Sequence, residues 1–207
     1  MNILRTIRMA AWFLVVVVAV FTGAIWATRA LKPVPEAVPI SSALSQFGGT
    51  FSIADMNGKR VTERDLAGRP SLMFFGFTYC PDVCPTTLTD ISGWLDTLGD
   101  EAKDLAVYFV TVDPERDTPE QLRDYLAAFD GRIVGLVGTP AETARIADAW
   151  RVVYKKVPQG DSYVIDHTAT VFMIDKTGQF AGTIDFHEQR ETALAKLTRL
   201  LRSAQNS

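Results

Sequence analysis

Phe74-Phe75-Gly76-Phe77-Thr78-Tyr79-Cys80-Pro81-Asp82-Val83-Cys84-Pro85 holds both cysteines of the chain. The apolar run at 71–77 that leads into it shows little alternation, which is the pattern of a strand buried on both faces. Downstream, Cys84, Leu88, Ile91 and Leu95 recur at helical spacing, so the spacing predicts a helix over 85–98 with these four on one face. The two thiols therefore sit where a buried strand hands over to a helix. Open α/β proteins place their chemistry at such junctions. The positive end of the helix dipole there favours thiolate over thiol.

Outward from this junction, strands alternate with helices. Apolar strands are expected at 105–112 and 133–137. Thr118-Pro119-Glu120-Gln121 and Thr139-Pro140-Ala141-Glu142 are capping boxes with Pro at the first helical position; they start helices that run to about residues 129 and 150. Before the junction, segments 51–54 and 60–62 flank Met56-Asn57-Gly58, a hairpin signal because Asn-Gly tolerates positive φ. After it, 152–157 reads as a short strand ahead of a polar turn. Segments 168–174 and 179–185 flank Asp175-Lys176-Thr177-Gly178 and form an antiparallel hairpin, and 188–202 is a closing amphipathic helix. This order defines an α/β fold with a thioredoxin-like central sheet, flanking helices and an N-terminal β-hairpin.

A different composition rules the front of the chain. Residues 10–28 carry no charge and are dominated by Val, Ala, Phe and Trp. Such a stretch suits a helix spanning the ~30 Å hydrocarbon core, and it exceeds the apolar run of ~7–15 residues in a cleaved signal peptide. Arg5 and Arg8 precede it and Arg29 and Lys32 follow it, so the positive-inside rule sets no orientation. Pro33, Pro35 and Pro39 make the next stretch an extended, semi-rigid spacer. The expected organisation is a membrane anchor at 1–30, a Pro-rich linker at 31–47 and a domain at 48–207. A hydrophobic content of 47% supports a real core, and the net charge of −3, with no arginine-rich stripe, gives no reason to expect nucleic acid.

Two cysteines four apart admit three uses. A structural disulfide over so short a loop closes little chain and stabilises little. Reactive thiols are the second use and metal ligation the third. Residues four apart on a regular helix hold their Cβ atoms roughly 5–6 Å apart, whereas a disulfide needs about 3.5–4.5 Å. Oxidation therefore requires the loop to leave helical geometry at Pro81-Asp82-Val83, and a shared metal tolerates more separation. Of the two histidines, His167 is expected in a loop at a strand edge, as a ligand needs. His187 is read as a surface or capping residue. Asp166 is placed to orient His167, Asp82 to attract a cation or a basic partner, and Asp113-Pro114-Glu115-Arg116-Asp117 either flanks the site or starts the next helix. Phe75, Phe77 and Tyr79 are expected in the core and the pocket wall. Two thiolates and one imidazole suit copper best. Structural zinc would need a fourth ligand from His187 or a carboxylate, and iron–sulfur clusters usually take four cysteines. Thiolates suit Cu(I), and an added imidazole also suits Cu(II).

Three motifs resemble the Sco/SenC family of copper-binding proteins, which is tied to assembly of cytochrome c oxidase. They are Gly76-Phe77-Thr78-Tyr79-Cys80-Pro81-Asp82-Val83-Cys84-Pro85, Val112-Asp113-Pro114-Glu115-Arg116-Asp117-Thr118-Pro119-Glu120, and Tyr163-Val164-Ile165-Asp166-His167. The resemblance implies a thioredoxin-like fold and a copper site made of Cys80, Cys84 and His167. It implies delivery of copper to the binuclear copper centre of an oxidase subunit, or reduction of thiols there, with other copper chaperones or thiol reductants as further partners. It also places the domain outside the cytoplasm. An anchor that begins almost at Met1 leaves no room for a transit peptide, so the expected setting is the periplasmic side of a bacterial inner membrane. A thiol–disulfide oxidoreductase is the first rival, although three residues rather than two separate its cysteines. A peroxidase fits less well, since neither cysteine has a Thr three residues before it. A copper or redox sensor needs a partner that the sequence does not name.

Overall fold

The computed structural model describes residues 3–30 and 47–205. The chain divides into two compact units, Met1–Pro39 and Ile40–Ser207. In the first, helix α1 runs over Ile3–Ala30. Its segment Ile7–Ala24 is long and apolar enough to cross a membrane. The proline-rich stretch with Pro33, Pro35 and Pro39 lies outside the described residues.

The second unit is built on a seven-stranded sheet. In chain order the strands and helices are β1 (Ser52–Asp55), β2 (Arg60–Thr62), β3 (Ser71–Gly76), α2 (Val83–Leu98), β4 (Ala106–Thr111), α3 (Pro119–Leu126), β5 (Ile133–Val137) and α4 (Pro140–Ala149). There follow β6 (Tyr154–Gln159), β7 (Ser162–His167), β8 (Thr170–Ile174), β9 (Phe180–Asp185) and α5 (Arg190–Gln205). The sheet order is β2-β1-β5-β4-β3-β8-β9, and β6 pairs with β7 in a separate two-stranded sheet. Strands β3, β4 and β5 run parallel, while β1, β8 and β9 are antiparallel to their neighbours.

Residue choice explains these elements. Every residue of β3 and of β4 is buried, as an unalternating apolar run requires. Side chains alternate across a strand, so successive residues serve opposite layers. Phe74 packs near Phe109 on one side, with ring centroids 6.0 Å apart, and Phe75 meets Phe172 on the other at 5.9 Å. Phe172 in turn rests on the fully buried Trp150 at 5.6 Å. Helix α2 buries Cys84, Leu88, Ile91 and Leu95 completely, the four positions with helical spacing. Both capping boxes form, at Thr118 with Gln121 and at Thr139 with Glu142. The first hairpin turns at Gly58 with φ 87°, and Asp55 Oδ1 accepts from the backbone N–H groups of Asn57 and Lys59 at 2.8 and 2.9 Å. Phe47, at the end of the expected linker, stacks on Phe180 at 4.3 Å.

Several expectations change: α3 ends at Leu126 rather than near residue 129, and α5 runs over Arg190–Gln205 rather than 188–202. Helix α2 starts at Val83 rather than at Pro85. Proline is tolerated in a first turn because no intrahelical N–H is needed there, so it does not mark the start. The short strand expected at 152–157 is one arm of a hairpin whose other arm, β7, carries His167 as its last residue, paired with Tyr154. His167 thus ends a strand and does not lie in a loop. The turn between Gln159 and Ser162 contains Gly160 at φ 59°, a conformation that glycine adopts without strain. Since Ile91 is fully buried, Ile91→Ala should lower the unfolding free energy by about 2–5 kcal/mol, while Asp90→Ala on the exposed face should change it by less than about 0.5 kcal/mol. Urea midpoints at unchanged m-value check both.

Candidate metal centre

Strand β3 ends at Gly76, and this glycine sets the floor of the site. A Cβ at Gly76 would lie 2.8 Å from Cys84 Sγ and 2.8 Å from Phe109 Cε2. The absence of a side chain is what lets the sulfur sit against the strand. The chain then turns, with the Cys80 N–H donating to Phe77 O at 3.2 Å. Asp82, the residue before α2, has φ −143° and ψ −65°. That departure from helical geometry is the condition a Cys80–Cys84 disulfide needs. Both thiols are free, Cys84 buried and Cys80 half-buried.

Asp117 holds the loop in place. The Thr78 N–H donates to its Oδ2 at 3.0 Å, the Thr78 hydroxyl to its Oδ1 at 2.6 Å and the Thr111 hydroxyl to its Oδ2 at 2.6 Å. Burial pushes the Asp117 carboxyl above its ordinary range, against the pull of these hydrogen bonds. Asp113-Pro114-Glu115-Arg116-Asp117 therefore flanks the site as well as leading into α3. The signal was present in the sequence as a second carboxylate-rich loop after a parallel strand, but its bond to Thr78 was not legible.

His167 arrives from β7. Its Nδ1–H donates to the Thr168 carbonyl at 3.1 Å, because a carbonyl only accepts. Nε2 is left with its lone pair facing the site, 3.5 Å from Cys84 Sγ. A second partner on the far nitrogen is the usual device for orienting a ligating imidazole, and here it is a backbone carbonyl. Asp166 is exposed and does not fill the orienting role expected of it, because strand alternation points it away from the ring that precedes Thr168. Phe77 and Phe74 face the imidazole edge-on, at 5.9 and 6.2 Å between centroids. Phe77 is pocket wall and Phe75 core, as expected, whereas Tyr79 is 53% exposed and accepts a hydrogen bond from Gln121 Nε2 at 3.3 Å. Asp82 is exposed, and its Oδ1 accepts from the Thr86 hydroxyl at 3.3 Å. His187 is exposed at φ 67°, beside Phe186.

The ligand atoms of Cys80, Cys84 and His167 all lie within 4.8 Å of one another, and His187 is not in this group. The two thiols differ sharply. A hydrogen bond from the Cys84 side chain draws the Cys80 thiol down to about 4, helped by the Cys84 N–H, whose nitrogen is 3.4 Å from the Cys80 sulfur. The same hydrogen bond and burial push the Cys84 thiol well above its ordinary value. Two soft sulfurs and one imidazole nitrogen, gathered this closely with one sulfur half-exposed, fit a copper ion.

Fold and site together define a class: a thioredoxin-like α/β domain whose cysteine loop and a histidine from a separate hairpin converge on one three-donor centre. The SCO1/SenC family model matches residues 41–202, and the chain belongs to that family. The mitochondrial SCO1 homolog 1 of Arabidopsis thaliana is 37% identical over 142 residues, which cover 68% of this chain and 42% of that protein. A SCO2-like protein of Rickettsia prowazekii is 36% identical over 152 residues, 72% of this chain and 74% of that protein. Among solved structures, ScoI of Bradyrhizobium japonicum with copper bound is 45% identical with a TM-score of 0.69, and the match covers 74% of this chain and 99% of that one.

Because the Cys80 thiol is lowered to about 4, it is a thiolate throughout the neutral range, and protonation removes its nucleophilicity only as the pH falls towards 4. Iodoacetamide should label Cys80 at a rate nearly flat from about pH 6 to about pH 8, with the buried Cys84 spared. A rate that rises about tenfold per pH unit over that range would mark an ordinary thiol.

Proposed function

We propose that this protein is a membrane-anchored copper chaperone that binds one copper through Cys80, Cys84 and His167. It passes the ion to the binuclear centre of the copper-bearing subunit of cytochrome c oxidase. The observation that carries this reading is the convergence of those three ligand atoms within 4.8 Å. Membership of the SCO1/SenC family and the copper-bound Bradyrhizobium relative support the choice of metal and of partner. Helix α1 supplies the tether, the stretch at 31–47 is the linker, and the domain works on the periplasmic side of a bacterial inner membrane.

The chemistry follows from the donor set. Three protein ligands leave copper a coordination position open to an incoming thiolate. Cys80, half-buried at the mouth of the site, is the ligand that an acceptor displaces first. Cys84 and His167 release the ion last, since Cys84 is buried against Gly76 and Phe109. Each step exchanges one ligand for another with no change of oxidation state.

A second reading, as a thiol–disulfide oxidoreductase, is favoured by the contrast between the two thiols. The Cys80 thiolate would attack a disulfide in the oxidase subunit and release one partner thiolate. Cys84, giving up its proton, would then attack the Cys80 sulfur and release the second. Two electrons pass to the partner and Cys80–Cys84 ends as a disulfide, which a separate thiol reductant must reopen. This route uses neither His167 nor a metal.

Anaerobic titration of the reduced full-length chain in detergent with Cu(I), against a competing chelator, separates the readings. One copper per chain is expected, lost in Cys80→Ser and Cys84→Ser. His167→Ala should weaken binding by at least about 10–100-fold, since losing even an outer-sphere partner of a ligand has that effect. Unchanged affinity in His167→Ala would favour the oxidoreductase.

A further inference from the structure

The hairpin that carries His167 is not hydrogen-bonded into the seven-stranded sheet. Something else must hold the third donor against the two thiols. We propose that Arg116 is the positioning residue that clamps the β6–β7 hairpin onto the cysteine loop, and so sets whether His167 reaches the metal. This inference rests on the copper-binding reading of the site.

The guanidinium lies between the two ligand-bearing segments. Its carbon is 3.7 Å from the centroid of the Tyr163 ring, on β7, and 4.8 Å from that of Tyr79, the residue before Cys80. A guanidinium stacks on aromatic faces in a way that an ammonium does not. Nη1 donates to the Tyr163 carbonyl at 3.0 Å and to Ser162 Oγ at 3.4 Å. Nε donates to Asp113 Oδ2 in a close ion pair. Asp113 is fully buried just beyond the end of β4, which gives the clamp a rigid root. Its other oxygen, Oδ1, accepts from the Tyr163 hydroxyl at 2.8 Å. Lys156 on β6 pairs with Glu115 at 2.6 Å, and its ammonium also lies over the Tyr163 ring, 4.6 Å from the centroid. Apart from the approach of His167 to Cys84, these polar ties converge on 113–116, and of those residues Arg116 also touches the cysteine side through Tyr79.

A guanidinium, always charged and without an acceptor atom, is no metal ligand. It acts through Tyr163, which lies on the same face of β7 as His167, four residues on. Releasing the guanidinium leaves the two thiols in place, since Asp117 and Gly76 hold them, and loosens the imidazole alone.

Arg116→Gln tests this in the full-length chain. In the metal-free protein, amide hydrogen exchange should accelerate across Ser162–His167 by about tenfold or more, while β3 and β4 keep their protection. Unchanged exchange in the hairpin would overturn the clamp, and this arm does not depend on copper. In the Cu(II)-loaded protein, the nitrogen hyperfine splitting from His167 should weaken or become heterogeneous, with affinity reduced by about tenfold. Placed on His167→Ala, Arg116→Gln should have no further effect on affinity; an additive loss would mean that Arg116 acts elsewhere. Arg116→Lys should not restore the splitting. Tyr163→Phe keeps the stacked ring and removes only the bond to Asp113, so a smaller change in the same direction is expected even if Arg116→Gln fails to fold, and no change would count against the clamp. If the parent chain bound no copper, the functional reading would fall while the exchange result still judged the clamp.

Discussion

His167 Nε2 lies 3.5 Å from Cys84 Sγ across 83 residues of chain, and the rest of the site is arranged to make that approach possible. The sulfur can be there because Gly76 has no side chain to occupy its place. The nitrogen can be there because the Thr168 carbonyl takes the other ring N–H and turns the lone pair inward. Neither support is itself a ligand. Each acts by geometry, and each would fail with a change of one or two atoms.

The two cysteines gain different characters from the same junction. Cys84 lies in the first turn of α2, on the face that packs against the sheet, and is sealed from solvent. Cys80 lies outside the helix and receives hydrogen bonds from the helix start, so it holds negative charge easily. One sulfur is built to stay and the other to exchange. That asymmetry suits the proposed ligand-by-ligand copper transfer, and it suits the alternative attack on a disulfide equally well. The imidazole is what distinguishes the two uses, because only metal binding needs it.

Much of this was legible in the sequence, for identifiable reasons. The buried strand, the helical face of Cys84, Leu88, Ile91 and Leu95, and both capping boxes depend on local pattern, and local pattern survives folding. That Cys80, Cys84 and His167 would come together was legible because few residue types bind soft metals and this chain holds only two cysteines and two histidines. The hairpin that presents His167 was half-read. Its first arm contains Lys155, Lys156 and Pro158, pairs only with its partner, and is largely exposed, so it shows no apolar alternation. Its second arm does alternate, with Tyr163, Ile165 and His167 on one face, but over too few residues to distinguish a strand from the loop expected there. The anchoring of Thr78 by Asp117 and the place of Arg116 between two tyrosines join residues from different elements. No spacing rule in a single sequence reports such contacts.

The central claim is that a metal in this site is held by two sulfurs and one imidazole. X-ray absorption at the copper edge of the reduced full-length chain, loaded with one equivalent of Cu(I), tests it most directly. The structure predicts a first shell of two sulfur scatterers and one nitrogen, with the outer-shell signature of a single imidazole ring that disappears in His167→Ala. A shell of sulfur alone, or one with the same imidazole signature after His167 is removed, would contradict it.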